Sequence, residues 1–168
     1  MIPVCARLVK DYLPQLIRDF VVPGQVRIVS HDVAILGSGA NDESLAAAVG
    51  ASCAARQARY WSFHDWLYYN QGGENRGAFS AERLAAIADA AGADRAAWEA
   101  CTAEPGEAAA IRKNTSDAVT AGINATPSFR FDGRVVTGLP RSYAELADAL
   151  RAAVEAAPSN DRSPGASG

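Results

Sequence analysis

Apolar residues recur every four positions near the start of the chain. Leu8, Tyr12, Leu16 and Phe20 form one line with Leu13 and Ile17 beside it, and that period predicts a helix over residues 3–20. Pro14 lies inside the run. Its ring crowds the preceding turn and it has no N–H to give, so a kink is expected near residues 10–13. Pro23-Gly24 ends the helix. The period then changes to two. Val26, Ile28 and Ser30 alternate with Arg27 and Val29, which predicts a strand over residues 25–30. Residues 31–41 read as a loop with Gly37 and Gly39. Asp42 is placed to cap one long helical stretch over residues 43–70, with Gly50 as its candidate break. Tyr60, Trp61, Phe63, Trp66, Tyr68 and Tyr69 crowd the second half of that stretch, and rings at helical spacing predict a packing surface.

Ser80 then caps a helix over 81–91 with Leu84, Ile87 and Ala88 on one face, and Asp94 caps a short one holding Trp98 and Cys101. Pro105 suits the first turn of a helix over 106–121, and Gly122 suits its end. Two β-prone runs follow, 128–131 and 134–137, joined by Asp132-Gly133, a strong hairpin signal. Pro127 stands at the mouth of that hairpin, where a missing ladder donor does least harm. The stretch by itself leaves two readings open, an ordinary loop proline or a cis bond from Thr126. Ser142 and Glu145 have capping-box spacing for a last helix over 143–156, striped by Tyr143, Leu146, Leu150 and Val154. Residues 158–168 have the composition of a disordered tail. The order is helix, strand, helical block, hairpin, helix: half of a mixed α/β sheet interrupted by an all-helical insertion over residues 42–104.

Composition narrows the function classes. The chain has 168 residues, enough for one domain with a real core, and 49% of them are apolar. No apolar run approaches membrane-spanning length, and no basic segment precedes an apolar one, so neither a membrane span nor a signal peptide is expected in these residues. A net charge of −3 gives no basic surface for nucleic acid. The cysteines are Cys5, Cys53 and Cys101, so one thiol stays free if two pair. None sits in a C-x-x-C pair, and His31 and His64 are isolated, so no metal site and no cofactor are expected. His64, in the run FHDW, reads as a packing or capping histidine. Asn114-Thr115-Ser116 and Asn124-Ala125-Thr126 match the glycosylation triplet, a weak signal that is discounted.

Four stretches taken in order carry a resemblance over nearly the whole length: PVCARLVKDYLPQL, CAARQARYWSFHDWLYYNQ, FSAERLAAIADAAG and GINATPSFRFDGRVVTGLP. Together they resemble the DsbA-like branch of the thioredoxin-fold thiol-disulfide oxidoreductases. The resemblance implies a discontinuous thioredoxin-like domain, residues 1–41 and 105–157, around the insertion at 42–104, with the tail at 158–168. It implies that Thr126-Pro127 is cis and faces the active site, offering backbone hydrogen bonds to an extended substrate. The family's CPxC-type motif aligns with Ile2-Pro3-Val4-Cys5. Cys5 is then the remaining catalytic thiol, with Pro3 and Val4 shaping the loop around it.

Ile2 stands where the family has its attacking cysteine. The chemistry needs a thiolate stabilised at a helix N-terminus and a second thiol to resolve the mixed disulfide, so dithiol exchange is not expected of this chain. Cys5, in the first helical turn, is either a monothiol with a lowered pKa or a buried remnant. The resemblance also implies a central strand upstream of the first helix, which this sequence has no room for. An earlier start, a closed-up sheet or a partner's strand would each account for that, and the first is favoured. Cys53 and Cys101 are implied to pair as a structural disulfide, which points to an oxidising compartment: bacterial periplasm, cell envelope or exterior, with cytoplasm as the alternative. The expected partners are protein thiols, disulfides or peptides, and a redox partner protein. Two other functions fit the same residues. One is a non-catalytic peptide- or protein-binding module. The other is a glutathione-using relative, disfavoured because residues 1–20 contain no serine.

Overall fold

Pro14 shapes the first element. A computed structural model describes residues 3–34, 42–72, 76–131 and 134–156. Helix α1 covers residues 3–21, with π-helical turns at Leu8–Tyr12 and Ile17–Val21. The first wide turn ends directly before Leu13-Pro14 and takes up the missing N–H, so the expected kink takes the form of a π-bulge. Tyr12, Leu16 and Phe20 are buried on one face of α1. Ile17 is exposed, a correction to the predicted stripe: it lies about 100° around the helix from Leu16. That face packs on Leu146, Ala147 and Leu150 of the last helix, α7 (Tyr143–Ala156), with Val26, Ile28, Phe131 and Leu139 closing the cluster. Hydrogen bonds fix the pairing. Tyr143 Oη donates to Asp19 at 2.7 Å, and Tyr12 Oη donates to the Pro140 carbonyl at 3.1 Å.

A second apolar cluster fills the helical block, built from α2 (Glu43–Ala55), α3 (Tyr60–Tyr69), α4 (Ala81–Ala90), α5 (Arg95–Thr102) and α6 (Pro105–Thr120). The predicted single helix over 43–70 is two helices. The break comes at residues 56–59, where Ala58 takes φ 57°, and not at Gly50. Tertiary contacts set it: Gln57 Oε1 accepts from the Asp94 N–H at 2.7 Å and Arg59 donates to the Gly92 carbonyl at 3.1 Å. Gly50 serves close packing instead. A Cβ there would lie 2.8 Å from Phe63 Cζ and 3.0 Å from Trp98 Cζ2, and Trp98 Nε1 donates to the Gly50 carbonyl at 2.9 Å. Gly50→Ala is therefore expected to cost about 1–3 kcal/mol through overpacking, read as a lower urea midpoint.

Cys53 and Cys101 form a disulfide between α2 and α5, with an S–S distance of 2.02 Å. Beside it the buried Glu107 accepts from Ser52 Oγ at 2.9 Å and pairs with Arg56. These two cysteines and Glu107 are the one metal-like grouping among the described residues, and both sulfurs are already bonded to each other. The aromatic run on α3 is only partly core. Phe63 and Leu67 are buried, whereas Trp61, Trp66 and Tyr69 are 42%, 45% and 62% exposed, because a ten-residue helix turns only one face inward.

The sheet has two strands among the described residues. β1 (Ser128–Phe131) and β2 (Arg134–Thr137) pair antiparallel, Ser128 opposite Thr137 and Phe131 opposite Arg134. The Asp132-Gly133 turn lies outside the described residues, as do the loop at 35–41 and the tail from 157. The strand predicted over 25–30 is corrected: that segment belongs to no ladder. Its alternation survives, with Val26 and Ile28 packed on the core and Arg27 and Val29 outside. A strand needs a neighbour as well as alternation, and none of the described segments hydrogen-bonds along it. No described helix is long and apolar enough to cross a membrane.

Candidate functional site

The first turn of α1 and the loop before β1 meet at one contact. Cys5 Sγ donates to Thr126 Oγ1 at 3.4 Å, between residues 121 positions apart. The loop is positioned from both sides. Gly122, at φ 84°, ends α6 with its N–H on the Val119 carbonyl and the Ile123 N–H on the Ala118 carbonyl. On the far side the Gly138 N–H donates to the Pro127 carbonyl at 2.8 Å, so the hairpin ladder closes on Pro127 and leaves the Thr126 backbone outside it. The Thr126–Pro127 bond is cis, and Pro127 is buried. Val4 is exposed beside Cys5 in the sequence, Pro3 opens the helix, and Ile2 lies outside the described residues.

Cys5 is 7% exposed. Burial removes the water that would solvate a thiolate and raises the pKa of the thiol; the Thr126 hydroxyl acts in the opposite direction and is the smaller effect. Of the two readings the sequence leaves open for Cys5, the burial and the raised pKa accord with a buried thiol. Desolvation outweighs the Thr126 hydrogen bond. Cys53 and Cys101, bonded to each other between α2 and α5, take no part in this contact.

A second polar group borders the site. Tyr60 Oη hydrogen-bonds to Asp32 Oδ1 at 2.8 Å and to Ser30 Oγ at 2.6 Å. Burial raises the pKa of Asp32, against smaller lowering effects of Tyr60, His64 and His31. Tyr68 is held well above the usual phenol range by burial first, and then by the charges of Cys5 and Asp32, so it stands within electrostatic reach of both. The His64 ring lies between, 5.8 Å from that of Tyr60 and 4.8 Å from that of Tyr68, with Nδ1 3.1 Å from Asp65 Oδ1. In the sequence these rings carry only a packing signal, and Asp32 carries none. The signal was present in the spacing: Tyr60, His64 and Tyr68 recur every four residues and share one face of α3.

The chain as a whole has relatives among known proteins. A family model described as thioredoxin matches residues 3–152. The chain belongs to the thioredoxin family. Its thioredoxin-like α/β fold is mostly helical with a small two-stranded sheet. A solved relative, a thioredoxin-like oxidoreductase from Silicibacter pomeroyi DSS-3, is 28% identical with a TM-score of 0.72, and the match covers 93% of this chain and 82% of that one. No curated protein matches at a significant level. The Cys5–Thr126 contact joins the start of the first helix to the loop before the hairpin.

Proposed function

We propose that this chain is a DsbA-like thiol-disulfide oxidoreductase homologue that works, where it is reactive, as a monothiol. The observation that carries the reading is the 3.4 Å contact between Cys5 Sγ and Thr126 Oγ1. The family match and the solved oxidoreductase relative support a general thiol-disulfide role. In this reading the Cys5 thiolate attacks one sulfur of a disulfide, a Cys5–substrate bond forms, and the other sulfur leaves as a thiolate that takes up a proton. The Thr126 backbone, free of the ladder, pairs with the extended segment around that sulfur. Ile2 supplies no second thiol, so the adduct waits for an external one. The Cys53–Cys101 disulfide supports an oxidising compartment, in the cell envelope or outside the cell.

One observation favours a second reading, a peptide-binding module with no redox step: Cys5 is buried and its thiol is shifted toward the protonated form. Glutathione disulfide separates the two. The expected result is one adduct per chain, mapped by mass spectrometry to Cys5 and absent in Cys5→Ser, with no turnover in insulin reduction. Lack of the adduct under native conditions, with full labelling in denaturant, would leave the binding module.

A further inference from the structure

We propose that the cavity between the extended segment at Ile28–Asp32 and helices α2, α3 and α6 is a recognition site for an organic ammonium or guanidinium group, held by the Asp32 carboxylate against the rings of Tyr60 and Trp61. The cavity measures 380 Å³, and Asp32, Tyr60, Trp61, Ser30, Ser52 and Asn114 are among its lining residues. That volume falls in the range of small-ligand pockets, about 300–1,000 Å³.

The charge balance gives the class of ligand. Asp32 is half-buried, yet no lysine or arginine among the described residues pairs with it. Its one hydrogen-bond donor among them is the Tyr60 hydroxyl. The other titratable groups that bear on it are His31, in the lining, and His64 and Tyr68 on α3. A carboxylate without a cation is costly in such a place, and burial accordingly pushes Asp32 toward its neutral form. An incoming cation would supply the missing partner. Trp61, 42% exposed and edge-on to Tyr60 with ring centroids 5.2 Å apart, offers an indole beside the carboxylate. A carboxylate flanked by aromatic rings favours a cation over a neutral molecule of the same shape. Asp32 takes no part in the Cys5–Thr126 contact, so this site stands whether or not Cys5 is reactive.

The test uses the intact, disulfide-bonded chain. Phenethylamine and its neutral counterpart phenethyl alcohol are titrated while the indole N–H signals of Trp61, Trp66 and Trp98 are followed by NMR. Phenethylamine is expected to bind at least about tenfold more tightly than the alcohol, as a charge-assisted contact requires, and to shift Trp61 while sparing Trp98. Asp32→Asn keeps an acceptor for Tyr60, so it is expected to fold while losing the preference for the amine. Trp61→Ala, at an exposed position, is expected to weaken amine binding with an unchanged thermal midpoint. A second pair, acetyl-Gly-Lys-Gly-amide and its norleucine analogue, reads whether the cation is taken from a polypeptide side chain or only from a free amine. Equal affinity for charged and neutral partners in both pairs, or an amine preference that survives Asp32→Asn, would overturn the proposal.

Discussion

Removing the Cys53–Cys101 bond is expected to lower the stability of the folded chain by about 4 kcal/mol, from the chain-entropy cost of opening a loop of this length. The two residues are 48 positions apart, so the bond constrains much of the unfolded helical block. It also joins α2 to α5 across the core that holds Phe63, Trp98 and Ala54. The pair Cys53→Ala and Cys101→Ala leaves the Ser52–Glu107–Arg56 contacts in place, which confines the change to the cross-link and the small volume of two sulfurs. Urea unfolding of the oxidised chain and the double variant measures it. For a domain of this size the same loss appears as a fall of roughly 8–16 °C in Tm. A change below about 1 kcal/mol would mean that the unfolded insertion is already compact without its cross-link.

Ile2→Cys is expected to convert an inactive chain into one that turns over. The substitution writes Cys-Pro-Val-Cys across residues 2–5, with Cys5 as the buried member of the pair. Position 2 directly precedes α1 in the sequence, and a thiol at a helix N-terminus is stabilised as its anion. At neutral pH an ordinary thiol is only a few per cent ionised, so a pKa brought near 7 raises the reactive fraction by at least about tenfold. The larger gain is the second thiol, which resolves the mixed disulfide inside the chain and removes the wait for an external one. Insulin reduction with dithiothreitol as electron source reads both effects. Turnover is expected in Ile2→Cys and not in the native chain, and Ile2→Cys with Cys5→Ser should form adducts without turnover. Robust turnover by the native chain would show that Ile2 does not block exchange.

Residues whose role is local were largely legible in the sequence. Asp42, Ser80 and Asp94 all accept from the backbone N–H three residues on, because an N-cap depends on one side chain and one turn. The hairpin and the Gly122 helix end were read for the same reason. The candidate site was legible in part. Cys5, Thr126 and Pro127 entered through the resemblance, and the structure brings them together. The state of Cys5 was not legible, since burial by distant parts of the chain sets it and no local spacing records that. Residues 25–30 show the same limit: their alternation was correct, but a strand is a relation between two segments. Asp32 was not legible because its partner, Tyr60, reaches it from 28 positions away and no local spacing records that contact.

The central claim is that Cys5 and Thr126 act as one site, and the pH dependence of adduct formation at Cys5 tests it most directly. The rate of reaction with glutathione disulfide is measured across alkaline pH for the native chain and for Thr126→Val, which keeps the volume and removes the hydroxyl. Losing the hydrogen bond that favours the thiolate is expected to move the apparent pKa of Cys5 further up. It should also slow the reaction below that pKa by about fivefold, the worth of a hydrogen bond near 1 kcal/mol. Identical pH profiles for the two proteins, with both folded, would contradict the account.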